Sequence, residues 1–365
     1  MTADAAGDRR EVIVVGGGQA GLAIGYLLAQ QGRQFTILEA ANTPAAAWRE
    51  RWDSLRLFTP VRYDSLPGRA FPGDPDAYPG RDEVVDYLTR YAEHFDLPVE
   101  LDSEVLAVRP GDKGFLVEMR DRTYAADQVV VATGPWQTPR VPPIAERLDD
   151  AVVQMHSTAY RSPANVPEGV LLVVGGGNTG YQIAEELSVS HEVHLSVGSR
   201  QTPLPQRLLG RDLFRYLEAV RFLRVNVESR LGQRLQHGGE TLIGSSPRAA
   251  RHHGIQLRGR AVDASGREVR FADGSTLSPA AVIWATGFVL DHSLVQAPVF
   301  GAGGRVVHRR GVTEVPGLYF LGLPWQYTRG SALLGWVKDD AQYIASEIAR
   351  AATPISEPPA IRTAA

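Results

Sequence analysis

Two short glycine clusters carry the first legible chemistry in this sequence. Gly16-Gly-Gly18-Gln19-Ala20-Gly21 follows a run of β-branched residues, Glu11 to Val15, and opens into Gln19 to Gln31, where Leu22, Ile24, Leu27 and Leu28 recur at helical spacing. In such a turn Gly16 makes the tight bend, Gly18 lets a pyrophosphate approach the backbone, and Gly21 lets helix and strand pack closely. The phosphates then meet the positive end of the helix dipole. Glu39 stands about 20 positions further on, at the end of the next strand, where a carboxylate can hydrogen-bond a ribose 2′-hydroxyl. Gly175, Gly177 and Gly180, with Asn178 and Thr179 between them, repeat this grammar later in the chain. The strand that follows them ends instead in Val197-Gly-Ser199-Arg200, with no acid at the matching place. An adenosine 2′-phosphate is tolerated there, and Ser199 and Arg200 can hydrogen-bond it. The pair of turns assigns FAD to the first site and NADPH to the second, with NADH as the alternative donor.

Composition removes most other chemistries. The 365 residues are 44% hydrophobic and 22% charged, ordinary values for a folded globular chain. Thirty-eight basic against 41 acidic side chains leave a formal charge of -3, too balanced for the broad positive field that nucleic acid or anionic membrane binding uses. Cysteine is absent, which excludes disulfides, thiolate metal sites, thiol nucleophiles and dithiol redox centres together. Lys113 and Lys338 are the only lysines and neither lies in a phosphate-binding P-loop. His252-His253 and His191-x-x-His194 lack an evident third ligand, so no metal is expected. Met1 to Arg10 has no apolar segment and no later run is long enough to span a membrane, which points to a cytoplasmic protein.

The elements that must position the glycine turns form two strand-turn-helix-strand units, the grammar of a doubly wound sheet. The expected fold class is α/β, with two Rossmann-like dinucleotide-binding domains, each a doubly wound parallel sheet, and the NADPH domain inserted into a discontinuous FAD domain. The boundaries expected are 8–150 and 283–350 for the FAD domain, 151–282 for the NADPH domain, and flexible tails at 1–7 and 351–365. Between the units lie a helix from about Asp82 to Phe95, strands near Val99 to Val108 and Gly114 to Arg120, and a strand from Gln128 to Val131. Arg200 to Leu235 reads as an amphipathic arginine-rich helix, Arg267 to Leu277 as a hairpin around Asp273-Gly274, and Ser331 to Arg350 as a closing helix.

Two Ala-Thr-Gly triplets, Ala132-Thr133-Gly134 and Ala285-Thr286-Gly287, end apolar strands at the junctions between the units, where small residues let the chain cross between domains. These motifs, in this order with Gly317-Leu-Tyr-Phe-Leu-Gly322, resemble the flavin-containing monooxygenase family and its shorter bacterial relatives over about Val12 to Arg350. That family carries F-x-G-x-x-x-H-x-x-x-[YF] before its second glycine turn. Here His156-Ser-Thr-Ala-Tyr160 supplies the second half, while Asp150 and Val152 replace the Phe and Gly; Tyr160 resembles the N- and S-oxygenating branch. Leu57-Phe58-Thr59-Pro60 matches the segment that places an Asn beside the flavin in longer members, with Phe58 in its stead. Ala45-Ala-Ala47-Trp48 stands where Gly-Gly-x-Trp is usual, and Gly322-Leu-Pro-Trp-Gln326 resembles the strand end that meets the flavin.

The resemblance implies Phe58, His156, Tyr160 and Gln326 as catalytic candidates, and adds Trp48, Thr59, Val105, Ala132, Thr133, Gly134, Thr286, Gly287, Gly322 and Ser331 to the cofactor set. It implies a single-component monooxygenase in which NADPH reduces the flavin and a C4a-peroxyflavin oxygenates a soft nucleophile, a sulfide or amine, using O2. Two alternatives stay open: an NADPH-dependent flavin reductase or oxidase feeding oxygen, a quinone or a protein carrier, and a nucleotide-binding redox sensor. Core packing for Trp48, Trp52 and Phe58, and a structural role for His156 and Tyr160, also stay open. A small molecule is the expected partner, and a homodimer is the assembly to expect if one forms.

Overall fold

The computed structural model describes residues 9–237 and 241–352. Two sheets organise the chain. In the first, the strands run in the order Val99–Glu100, Phe35–Leu38, Arg9–Val15, Thr123–Val131, Phe115–Met119 and Val105–Pro110, and Leu318–Phe320 pairs parallel with the far end of Thr123–Val131. Arg9–Val15, Phe35–Leu38, Val99–Glu100, Leu318–Phe320 and Thr123–Val131 pair in parallel. Their central residues are apolar because one face packs under helices Gln19–Gln30, Arg81–His94 and Val337–Ala352 and the other against the meander and residues 294–323. The last two form an antiparallel meander at the edge. The second sheet is wholly parallel, in the order Gln256–Arg258, Glu192–Ser196, Val170–Val174, Ala281–Trp284 and Val153–His156. Because Leu318–Phe320 returns to the first sheet after the second is complete, the second unit is inserted into the first.

Helix Gln19–Gln30 follows the first glycine turn and packs beside the C-terminal helix Val337–Ala352, with Leu22, Leu28, Ile344 and Ile348 fully buried. Gly32 ends the first helix at φ 67°, a left-handed position that costs glycine nothing. The hairpin around Asp273-Gly274 is present, with strands Glu268–Phe271 and Thr276–Leu277 and Gly274 at φ 84°.

Several element readings need correction. The strand expected over 99–108 is two strands: Asp102 at φ 51° turns the chain, so that Val99–Glu100 joins the parallel layer and Val105–Pro110 the meander. The helix expected over 200–235 does not form. Pro203 and Pro205 lack the N–H a helix needs, and the segment becomes a strand, Thr202–Leu204, a hairpin, Arg207–Leu208 with Arg211–Asp212, and two short helices, Leu213–Ala219 and Arg230–His237. The closing helix begins at Val337 rather than Ser331, since the Ser331 hydroxyl accepts the backbone N–H groups of Tyr327 and Thr328 and holds that stretch in turns. At the other end Ala351 and Ala352 still belong to that helix, so no tail starts at 351. The tail expected at 1–7, and residues 353–365 of the other, lie outside the described residues.

Candidate functional site

Each glycine turn rests on one of the Ala-Thr-Gly triplets. Gly16 has φ 110°, and a Cβ added there would come within 2.6 Å of the Ala132 carbonyl oxygen. Gly175 has φ 136°, and the same atom would come within 2.0 Å of the Ala285 carbonyl oxygen. The third glycines match as closely: a Cβ on Gly21 would stand 1.9 Å from Gly16 O, and one on Gly180 2.0 Å from Gly175 O. Both units therefore need glycine twice, once for the left-handed bend and once for the close approach of turn and helix. At Gly18 nothing lies within 4 Å of an added Cβ. Here the backbone faces open space beside the first turn of helix Gln19–Gln30, whose unpaired N–H groups are what an anion requires.

The walls of the first crevice are tied by polar side chains. Glu39 accepts the Gly17 N–H at 2.8 Å and the Ala41 N–H at 3.1 Å, which fixes its carboxylate at the rim of the turn. Trp48 Nε1 donates to Gln19 Oε1 at 2.8 Å, and Gln19 Nε2 donates to the Ala332 carbonyl at 3.1 Å, linking the helix start to the segment before the C-terminal helix. Ala20 is buried, and Gly322, at φ 87°, approaches it so closely that an added Cβ would lie 3.1 Å from the Ala20 Cβ. The Thr133 hydroxyl is buried without a hydrogen-bond partner, and the half-buried Gly134 beside it has open space on its Cβ side. Thr59 donates to Asp64 Oδ1 at 2.6 Å, and both are buried. Burial pushes the Asp64 carboxyl up to about 8, only partly offset by the Thr59 hydrogen bond and the Lys338 charge; its other oxygen has no partner. Val105 lies apart, half-buried at a bulge in the meander.

The second crevice is more exposed. Gly175, Gly177, Asn178 and Thr179 are half-buried, and Ser199 and Arg200 are exposed beyond them. Asn178 is partly engaged, its Oδ1 accepting the Ile243 N–H at 3.0 Å. Two residues not singled out from the sequence complete this rim. Gln201 donates to the Gly176 carbonyl and accepts the Tyr181 hydroxyl at 2.8 Å, so a neutral amide lies against the second turn much as Glu39 lies against the first. Arg260 donates to the Gly198 carbonyl through Nε at 3.1 Å and Nη2 at 2.7 Å. Gln201 follows directly on Arg200, so the counterpart of Glu39 lies one residue beyond it in the sequence. Arg260 comes from a distant segment and left no local signal.

The four catalytic candidates have four different surroundings. His156 uses both ring nitrogens inside the protein, Nε2 with the Gly287 carbonyl at 3.0 Å and Nδ1 with the Thr158 hydroxyl at 3.1 Å; burial lowers its pKa. It clasps the second crossover, where Thr286 also donates to the Arg140 carbonyl. Tyr160 is fully buried in the second unit, its hydroxyl bonded to Glu186 at 2.7 Å, and burial raises its pKa. Gln326 is 1% exposed and donates to the Arg310 carbonyl at 3.3 Å while accepting the Leu323 N–H at 3.2 Å. Tyr160 and Gln326 are thus consumed by the protein itself, and Ser331 likewise spends its hydroxyl on its own turn. Phe58 alone is half-buried between units. Its ring stacks on Phe214 at 6.0 Å and 16°, and Tyr63 and Trp336 complete an aromatic cluster around Phe214.

Residues 13–213 match the model of the pyridine nucleotide-disulphide oxidoreductase family, more than half of the chain. The chain belongs to that family. Within it the resemblance to flavin-containing monooxygenases holds along the whole fold. A CzcO-like oxidoreductase of Geobacillus kaustophilus is 45% identical over 340 residues, 93% of this chain and 98% of the relative. The flavin-containing monooxygenase of Stenotrophomonas maltophilia superposes with a TM-score of 0.79 at 30% identity, covering 94% of this chain and 99% of that one. An indole-3-pyruvate monooxygenase of Oryza sativa is 33% identical over 222 residues, 55% of this chain and half of the relative. The protein is a flavoprotein oxidoreductase of the monooxygenase type that uses a pyridine nucleotide. No helix among the described residues is long and apolar enough to cross a membrane, and no group of three His, Asp or Glu among them could hold a metal.

Proposed function

We propose that the protein is a single-component monooxygenase that takes electrons from NADPH through bound FAD and oxygenates a soft nucleophile, a sulfide or an amine. The observation that carries the reading is the paired construction of the two crevices, each with its glycine turn seated on an Ala-Thr-Gly crossover, and an aromatic cluster built from both units. Gly16, Gly18 and the start of helix Gln19–Gln30 would receive the FAD pyrophosphate, Glu39 the ribose, and the unpartnered Thr133 hydroxyl fits a polar group of the same molecule. Gly175, Gly177 and Asn178 would receive the second pyrophosphate, and Ser199 and Arg200 a 2′-phosphate.

Bound FAD, once reduced, supplies the electron pair with which dioxygen is split between substrate and water: NADPH, a proton, O2 and a sulfide give NADP+, water and a sulfoxide. The chain contributes placement and exclusion of water. Trp48 and Gln19 brace the first crevice against the C-terminal segment, His156 clasps the crossover at Gly287, and the rings of Phe58, Tyr63 and Trp336 make a dry wall. Phe58 offers no amide, so the protection of the reactive centre rests on that apolar wall rather than on a side-chain hydrogen bond. The absence of cysteine removes thiol-disulfide exchange as the route of the electrons.

The test is a turnover assay of the purified flavoprotein with NADPH and methyl phenyl sulfide, measuring NADPH, sulfoxide and hydrogen peroxide together. The expected result is sulfoxide in proportion to NADPH, carrying one oxygen from labelled O2. Peroxide equal to the NADPH consumed, with the sulfide unchanged, would replace this reading with that of an oxidase.

A further inference from the structure

The segment 204–226 leaves the second unit and packs against the first. It is anchored at Thr202–Leu204, paired with Thr241–Ile243, and again near Asn226, which bridges to Thr328 beside the Val227-to-Tyr327 hydrogen bond. Between these anchors the chain carries the seven-residue helix Leu213–Ala219, with Phe214 1% exposed. Left-handed residues flank the helix on both sides. Leu209 at φ 49° and Gly210 at φ 77° precede it, and Arg221 at φ 54° follows it. A non-glycine residue in that region is strained, and here two such positions delimit one short helix. Apolar side chains at the ends of the segment are in water: Leu209 and Val220 are 88% and 72% exposed.

The segment is held by a small polar hub. Asp212 accepts the Tyr78 hydroxyl at 2.6 Å, Gln206 Nε2 at 3.2 Å and the Phe214 N–H at 2.7 Å, while Gln206 also donates to the Phe58 carbonyl at 2.7 Å. Beneath the hub the Phe214 ring lies 6.0 Å from Phe58, 6.3 Å from Tyr63 and 5.7 Å from Trp336. Two near-parallel rings at that separation leave no room for a third, which would need about 7 Å between the outer rings. A flat molecule stacking on the face of Phe58 that Phe214 covers must therefore take the place of Phe214.

We propose that Phe214 is a displaceable plug and a specificity-determining residue: a flat aromatic sulfide or amine enters by taking its place against Phe58, and the segment 209–221 swings out about Leu209-Gly210 and Arg221. This rests on the functional reading above for the identity of the substrate's reacting atom, and on the aromatic cluster for its shape. The slot is walled by the rings of Phe58, Tyr63 and Trp336, so it recognises a planar ring and gives a small aliphatic sulfide nothing to stack on. Each aromatic substrate spends part of its binding energy on expelling Phe214.

Two measurements test it. In kinetics, Phe214→Ala and Phe214→Leu are expected to raise the preference for methyl phenyl sulfide over dimethyl sulfide, expressed as a ratio of kcat/KM, by about tenfold, chiefly through KM. A fall in that ratio would make Phe214 a wall that holds the substrate and would overturn the proposal, as would an unchanged ratio. Limited trypsin digestion of the wild-type flavoprotein reads the movement without turnover, since Arg207, Arg211, Arg215 and Arg221 are exposed on the segment. Methyl phenyl sulfide is expected to speed cleavage there severalfold, and dimethyl sulfide to leave it unchanged. Protection by the aromatic compound, or no effect, would sink the plug even in an active enzyme. If the enzyme releases only peroxide yet the aromatic compound opens the segment, the monooxygenase reading fails and the plug stands.

Discussion

Asp64 is fully buried, has one oxygen bonded to Thr59 and the other bonded to nothing, and faces Lys338 and Asp212 as its nearest charges. Burial raises its pKa from 3.8 to about 8. The folded chain therefore holds a proton that the unfolded chain releases, and stability falls as pH rises through the window from about 4 to about 8. Asp64→Asn, which cannot ionise, should gain on the wild type by about 1–3 kcal/mol between pH 5 and pH 9, measured by denaturant unfolding. A difference independent of pH would mean that Asp64 is ionised in the folded protein. Arg200 tests the second crevice at the same scale. Arg200→Ala should weaken NADPH by about tenfold more than NADH, because a charged hydrogen bond to a 2′-phosphate exists for one nucleotide only. An unchanged ratio of the two dissociation constants would remove Arg200 from the site and leave Gln201 and Arg260 as the residues to vary.

The C-terminal helix and the segment 59–66 behave as one packed element. A Cβ at Gly335 would lie 1.4 Å from the Tyr63 carbonyl oxygen, and Lys338 Nζ donates to the Ser65 carbonyl at 3.2 Å. Gly335→Ala must therefore push the two apart, with an expected loss of at least about 3 kcal/mol and of retained flavin, read from unfolding and from the flavin-to-protein absorbance ratio. A stable variant that retains its full complement of flavin would show that the two elements separate without cost. The helix itself starts at Val337, with Asp339 and Asp340 in its first turn, where acids favour the positive end of the dipole. Asp340 is buried in an ion pair with Arg310 at 2.8 Å, and Arg310 in turn stacks over Tyr327 and Tyr343. This bundle holds the turns 328–336 against the first crevice.

Across the molecule four histidines, His156, His194, His292 and His308, are shifted down, in each case chiefly by burial. Their folded pKa values lie below the unfolded value, so the unfolded chain takes up protons first and stability falls as pH drops below about 6.5. His292 is the purest case, with neither ring nitrogen bonded and its ring set edge-on to Phe320 at 5.2 Å. His292→Phe should flatten the acid side of the stability curve while changing it little at pH 8, measured by thermal unfolding from pH 5 to 8. An equally steep acid limb would assign the loss to the other three. With Asp64 acting from the alkaline side, maximum stability is expected near neutral pH.

The two strand-turn-helix units were legible because their determinants are local: glycines at fixed offsets, β-branched strands and helical periodicity all lie within about 30 residues. The closeness of Gly16 to Ala132 and of Gly175 to Ala285 was foreshadowed only by small residues at both places. The region 200–235 reads as one helix because it is rich in arginines with acids interspersed, while its conformation is set by prolines, left-handed turns and the distant aromatic cluster it covers. Tyr160 and Gln326 matched family positions, yet packing gave their polar atoms to Glu186, Arg310 and Leu323. Sequence alone determined the two dinucleotide folds and the absence of thiol chemistry, since these depend on residue type and short spacing. Tertiary structure alone decided that Phe214 meets Phe58, that Asp64 is buried and half-unpartnered, and that Gln201 rather than an acid lies on the second turn. Each of these depends on segments apart in the chain that only the folded backbone brings together.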